Sequence, residues 1–252
     1  DNLRIASFNV HYFRNINNEP TLYLIEKYIK NKDIDIICLQ EIVIPRTILE
    51  YVYLYNIKVI KKIFKKLGFK YFIFDKTSFL FVASKREFFD VKTIDLKKKR
   101  KAILFDIFLN KQKITIVNTH LHTDSSIHKK NSQIEEDIRY EQMKKIISKI
   151  DSKRSIILGD LNSLYTPDYT KEELKFKHDY EYTHTPTHNK VIDLIKDNGY
   201  KDSLETNPNE NIYTHIHKRR VDYIFYKNIS INKYLNLSNF DISDHSMIMI
   251  DI

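Results

Sequence analysis

Cysteine is almost missing from the 252 residues, with Cys38 the single instance. No internal disulfide is possible. The setting of Cys38 in the apolar run IDIICLQ marks a small core residue and favours a reducing, intracellular compartment, cytoplasmic or nuclear. Tryptophan is absent, so any aromatic pocket must use the 17 tyrosines and 15 phenylalanines. Glycine numbers three and proline five. No repeat, linker or low-complexity break divides the chain. No stretch approaches the length of a membrane span, and no basic-then-apolar leader is found. The opening residue, Asp1, is that expected of a processed or trimmed chain.

What is abundant is apolar content and positive charge. Hydrophobic residues make up 42% and aromatics 13%, enough for a packed core. The length suits one sheet-rich domain over residues 1–252, expected to be a monomer. Lys+Arg 42 against Asp+Glu 33 leaves +9, which favours polyanionic partners: nucleic acid, an anionic membrane surface or phosphorylated small molecules.

Strand-like and helical patterns alternate. Leu3 to Val10 reads as a strand. Leu22, Ile25 and Ile29 stand at helical spacing within Glu19 to Lys30. DIDIICLQE is a buried strand. A segment after Pro45 carries Ile48, Val52, Val59, Ile63 and Leu67 on one side and stops at Gly68. Phe69 to Val82 and Ala102 to Leu109 read as strands of a meander or hairpin set. KITIVNTH follows, then a helix over Glu135 to Ile150, the strand SIILGD and a polar excursion from Ser163 to Asn189. The helix VIDLIKDNG and the strands VDYIFYK and SMIMIDI close the chain. This order predicts sheets with helices packed outside.

Polar residues stand at the ends of the apolar runs: Asn9, Glu41, His120, Asp160 with Asn162, Asp222, and Asp244 with His245. If the last two strands run against the others, all of them reach one rim. Glu41, helped by Asp244 and an amide, suits the sparse coordination that magnesium accepts. Asp160 is placed to orient or deprotonate water. His120, His245 and Asn162 are suited to hydrogen-bond phosphoryl oxygens, and Asp222 to hold the His245 ring charged. Together these groups describe phosphate-ester hydrolysis.

The segments SFNV, LQE, NTHL, GDLNS, VDYIF and SDHS, in this order, resemble the endonuclease/exonuclease/phosphatase (DNase I-like) superfamily. The resemblance runs from Leu3 to Ile252. It implies an α/β fold, a four-layered α/β sandwich of two facing mixed or antiparallel sheets flanked by helices. It also implies that Glu41 is the main magnesium ligand (manganese being the substitute), with Asn9 and Asp244 completing or supporting the metal shell. Asp160 then activates water, Asn162 contacts the phosphate, Asp222 orients His245, His245 grips the phosphate, and His120 is a second histidine. Arg139 and Gln142 in the helix RYEQM fit as structural support.

Two further clusters invite chemistry. His120-Leu121-His122 and His184-Thr185-Pro186-Thr187-His188 suggest zinc, but the second pair lacks matching acids or cysteines, and loop histidines are the better account. Lys97 to Lys101 reads as a solvated hairpin loop, with a nucleic-acid backbone contact or a nuclear-import signal as the alternative. Lys218, Arg219 and Arg220, directly before Asp222, are candidates to touch a substrate phosphate.

The substrate is less determined than the reaction. Val10-His11-Tyr12 after Asn9 departs from abasic-site endonucleases and tyrosyl-DNA phosphodiesterases, and one cysteine departs from secreted DNases. Basic charge and many tyrosines favour nucleic acid, DNA before RNA. The alternatives are a phosphatase or phospholipase C-type hydrolase of a small or lipid phosphoester and, of a different class, a non-catalytic polyanion-binding module.

Overall fold

The computed structural model describes residues 2–42, 57–123, 132–176 and 189–252. In chain order, β1 (Arg4–Asn9) is followed by α1 (Leu22–Ile29), β2 (Ile36–Gln40) and α2 (Ile57–Lys66). Next come β3 (Tyr71–Asp75), β4 (Leu80–Ser84), β5 (Phe89–Asp95), β6 (Lys101–Leu109), β7 (Gln112–His120) and α3 (Ser132–Ile147). The chain continues with β8 (Ser155–Asp160), α4 (Lys171–Phe176), α5 (Lys190–Asp197), β9 (Lys201–Asp202), β10 (Asp222–Lys227), β11 (Lys233–Leu237) and β12 (Met247–Asp251).

Two six-stranded sheets result, ordered β11-β12-β1-β2-β4-β3 and β5-β6-β7-β8-β10-β9. Each holds one parallel pair near its middle, β1 with β2 and β7 with β8. The carboxyl ends of each parallel pair therefore open on a common rim. β12 runs antiparallel to β1, and β10 antiparallel to β8, so these two strands bring their amino ends to the same rims. The expected reversal of the two strands is what the structure has.

The period-two alternation of the strands separates three apolar layers. Ile37 and Leu39 of β2 and Met247 and Met249 of β12 face outward onto Leu22, Ile25 and Ile29 of α1 and Ile60, Ile63 and Phe64 of α2. Their neighbours Ile36, Cys38, Ile248 and Ile250 face inward, against Ile103, Phe105, Ile116, Ile156, Leu158 and Ile224 of the other sheet. Ala102, Leu104, Val117, Ile157 and Phe225 then meet Met143 and Ile146 of α3 and Val191, Ile192 and Ile195 of α5. Helices, sheet, sheet, helices is the predicted sandwich. α2 exposes a lysine-rich face. Each of its three buried residues contributes roughly 1.5–3 kcal/mol, which explains how the helix is held.

Several expected bounds move. Phe69 to Val82 is two strands, because Asp75 Oδ1 accepts from the backbone N–H of Thr77 (2.9 Å) and Ser78 (2.8 Å) and turns the chain. The helix expected at Glu135 to Ile150 spans Ser132–Ile147. β11, short and half-exposed, enters between the two strands expected to close the chain. Ile48, Val52, His184 and His188 lie outside the described residues.

Candidate active site

The two rims face each other across a cleft of about 730 Å³. Beneath it a buried polar clamp joins the sheets. Gln40 Nε2 donates to Asn118 Oδ1 (2.8 Å), and Asn118 Nδ2 donates to the carbonyls of Leu39 (3.2 Å) and Phe81 (3.1 Å). One layer higher, Asn9 Nδ2 donates to Asp160 Oδ2 of the opposite sheet (3.0 Å) and to Glu41 Oε1 (3.1 Å), while its Oδ1 accepts from the His11 N–H (3.0 Å). Both N–H groups of this amide go to carboxylates. Asn9 thus holds the Glu41 and Asp160 carboxylates together.

Strand register sets the next row. Asp160 lies opposite His120 of β7 on one side and Asp222 of β10 on the other. Two carboxylates directly opposite repel. His245 sits between them, its Nδ1 2.8 Å from Asp222 Oδ2 and its Nε2 3.8 Å from Asp160 Oδ2. Burial disfavours charge on His245, but Asp222 and then Asp160 and Asp244 outweigh it and raise its pKa to about 10. Asp160 is pushed up to about 7 by burial, by Asp222 and by Glu41, with His245 and Asn9 opposing. Asp160 therefore takes up a proton near neutrality, and His245 remains an imidazolium.

His120 is the contrasting case. Arg100 Nη1 lies 2.9 Å from His120 Nδ1, and an arginine can only donate, so the ring proton is on Nε2. That nitrogen is 3.4 Å from Asp160 Oδ2 and 3.8 Å from Glu41 Oε1. Burial, Arg100 and His245 hold His120 well below the usual histidine range, so it is a neutral donor. His122 also lines the cleft but turns to Glu135 (2.6 Å), and among the described residues the two rings form no common metal cluster.

Asp244 stands among imidazoles. His11 Nδ1 is 3.6 Å away, His215 Nε2 3.5 Å and His245 Nε2 3.9 Å. Burial raises its pKa, yet His215, His245 and His11 together bring it down to about 2. Asn162 donates its amide to the Leu121 carbonyl (3.1 Å), and its backbone N–H to Asp160 Oδ1 (3.0 Å), in a left-handed conformation with φ 50°. Gly159, just before Asp160, has φ +136°, and a Cβ there would fall 1.8 Å from the Thr119 carbonyl oxygen. Only glycine fits between these paired strands.

The donor set suits a divalent cation. Carboxylate oxygens of Glu41 and Asp160 lie within 4.8 Å of each other; His120 Nε2 is equally near but carries the proton, so it is a hydrogen-bond donor to this cluster and not a metal ligand. Asp222 Oδ1 and Asp244 Oδ1 are buried oxygens without a hydrogen-bond partner. The other oxygen of Asp222 faces His245 and that of Asp244 faces His215, so one lone-pair-bearing oxygen on each remains for a hard cation, the kind of donor that magnesium accepts.

Of the basic trio, only Arg219 lines the cleft. Arg220 corrects its expectation as a substrate contact: it is 1% exposed and its guanidinium binds Asp202 Oδ1 (2.6 Å) and Asp168 Oδ2 (3.1 Å). Two acids distant in sequence have drawn it into the interior. Lys218 is exposed at a tight turn (φ 51°) and does not line the cleft. Arg139 and Gln142 are buried and structural: Arg139 donates to Glu136 (3.0 Å), and Gln142 Oε1 accepts from the His122 N–H (2.8 Å).

The sequence patterns did not single out Arg100, His11, Tyr12 or His215, all of which line the cleft. Arg100 was hidden in the lysine run, a hairpin loop that exposes Lys97 to Lys99 and turns Arg100 inward. His215 arrives through a β-bridge to His245. His11, Tyr12 and Phe13 are three consecutive left-handed residues (φ 44°, 59° and 56°), each costing on the order of 1–2 kcal/mol. No glycine signals that turn.

The sequence model of the Endonuclease/Exonuclease/phosphatase family matches residues 6–245. No curated protein matches the sequence. Among solved structures, an endonuclease/exonuclease/phosphatase from Beutenbergia cavernae DSM 12333 superposes with TM-score 0.77 at 16% identity, covering 99% of this chain and 71% of that one. An AP endonuclease from Archaeoglobus fulgidus gives 0.66 at 20% identity, covering 98% of both chains. D. rerio TDP2 complexed with single strand DNA product gives 0.65 at 18% identity, covering 100% of this chain and 98% of that one. These likenesses establish the fold. The match over residues 6–245 shows more: the chain belongs to the endonuclease/exonuclease/phosphatase family.

Proposed function

We propose that the protein is a magnesium-dependent phosphodiester hydrolase of nucleic acid, a nuclease or DNA-end phosphodiesterase. The observation that carries this reading is the meeting of Glu41, Asp160 and His245 on one cleft. Hydrolysis requires a proton taken from water, charge stabilised on a non-bridging oxygen, and the diester held in line. Asp160, with its pKa near 7, accepts the proton from water. His245, fixed as an imidazolium by Asp222, donates from Nε2 to a phosphoryl oxygen. His120, neutral and protonated on Nε2, offers a second donor without adding charge. Asn9 keeps Glu41 and Asp160 at their spacing, and Asn162 lines the floor. A divalent cation held by Glu41, with Asp244 in support, would supply Lewis-acid stabilisation of the phosphoryl oxygens.

Lys98, Lys99, Arg100 and Arg219 around the cleft, and the +9 charge, support a polyanionic substrate over a small phosphoester. Two relatives of this fold, an AP endonuclease and a TDP2 bound to a single strand DNA product, support nucleic acid. The retained carboxylates argue against a module that only binds. The test is a panel of plasmid, single-stranded DNA, RNA, 5′-tyrosyl DNA and inositol phosphates, with magnesium and then with EDTA. Cleavage of a nucleic acid that stops with EDTA is expected. Hydrolysis of inositol phosphates alone would transfer the chemistry to the small-phosphoester class.

A further inference from the structure

The left-handed turn at His11 to Phe13 has a consequence for the substrate. Three strained residues in succession persist because the surroundings fix them. Phe13 is fully buried, and its N–H donates to the Val10 carbonyl (2.8 Å) while its carbonyl accepts from the Thr21 N–H (2.8 Å). Tyr12 donates its own N–H to the Glu41 carbonyl (3.1 Å). The strain delivers a ring: Tyr12 is 42% exposed, lies against the His11 imidazole with centroids 5.5 Å apart, and lines the cleft. Phe79 also lines the cleft, its carbonyl accepting from the Ile42 N–H (3.0 Å). Two aromatic residues are thus tied by backbone hydrogen bonds to positions 41 and 42. A large aromatic ring that is 42% exposed, on strained backbone, in a cleft lined by lysine and arginine, is suited to a flat π-surface.

We infer that Tyr12 is a stacking platform for an unpaired nucleobase next to the bound phosphodiester, so that the cleft takes single strands or frayed ends in preference to the interior of a duplex. The inference rests on the nucleic-acid reading above and deepens it. A base inside a duplex already has both faces covered by its neighbours and must leave the stack before it can meet the ring. Because every base has a π-face, the platform selects strandedness and not sequence.

The experiment compares wild type, Tyr12→Phe and Tyr12→Ala in magnesium. Hydrolysis is measured on a single-stranded oligonucleotide, its duplex, and methyl p-nitrophenyl phosphate, a diester without a base. Binding is read separately from the emission of a hydrolysis-resistant phosphorothioate oligonucleotide carrying 2-aminopurine, whose fluorescence falls when the base stacks. Wild type is expected to favour the single strand and quench the probe, and Tyr12→Phe to do the same. Tyr12→Ala is expected to raise KM for the single strand about tenfold more than for the base-free diester, and to lose the quench. Three results would overturn the inference: quenching that survives Tyr12→Ala, equal losses on both substrates, or a Tyr12→Phe as impaired as Tyr12→Ala, which would assign the effect to the hydroxyl. Wild type that hydrolyses the small diester but no nucleic acid would refute the nucleic-acid reading, and the probe would still judge stacking by itself.

Discussion

His245 Nδ1 lies 2.8 Å from Asp222 Oδ2, and both groups are buried. The pair differs from a surface ion pair in that the imidazole is also flanked by Asp160 and Asp244. Removing the Asp222 charge while keeping its shape therefore removes the largest influence that holds His245 protonated. Asp222→Asn is expected to lower kcat by roughly 10²-fold or more, with a smaller change in KM, and to move the basic limb of the pH–rate profile towards neutrality. Steady-state kinetics from pH 6 to 10 check this; an unmoved basic limb would remove Asp222 from its orienting role.

The pH profile of the wild type follows from two opposed requirements. In the proposed mechanism Asp160, with its pKa near 7, must be ionised to accept a proton, and His245, with its pKa near 10, must be protonated. The rate is expected to rise through the first value and fall through the second. Raising magnesium is expected to move the acidic limb lower, because a nearby cation favours the carboxylate.

Stability of the metal-free protein carries the same signature. Both groups have folded-state pKa values above their ordinary values of 3.8 and 6.5. The contribution of each is complete below its ordinary value and disappears as pH rises through the folded one. Thermal scans in EDTA are expected to show Tm falling from pH 6 to 10, with magnesium restoring most at the alkaline end. A Tm that climbs over this range would contradict the electrostatic description.

Arg220 acts on stability and not on the cleft. Its guanidinium neutralises Asp202 and Asp168 in the interior. Arg220→Leu leaves two acids without their cation and is expected to cost about 3–5 kcal/mol, read as a lower urea midpoint. A contact with substrate would instead raise KM and leave the midpoint unchanged.

Residues that end apolar runs were legible in the sequence, because an acid, amide or imidazole closing a buried strand needs a polar partner or a ligand to offset its burial. Asn9, Glu41, His120, Asp160 and His245 carry that signal. The strand directions followed once the site was required to converge. Arg220 misled for a physical reason: it is two residues from Asp222, but its side chain answers to Asp202 and Asp168, which sequence distance conceals. Arg100 could not be distinguished from the lysines around it, since a charge run does not reveal which member folds inward. His11 and Tyr12 depend on a left-handed turn formed without glycine, and the Gln40–Asn118 clamp links positions that only the packing of the sheets brings together.

In the proposed mechanism, one divalent cation at Glu41 and one general base at Asp160 serve a single phosphorus atom. Magnesium titration of single-strand DNA hydrolysis by wild type, Glu41→Gln and Asp160→Asn tests it most directly. Glu41→Gln is expected to raise the magnesium concentration for half-maximal rate at least tenfold. Asp160→Asn should keep the wild-type magnesium response while losing about 10²-fold or more in kcat. Hydrolysis in EDTA at the wild-type rate, or two variants as active as wild type at every magnesium concentration, would contradict the account.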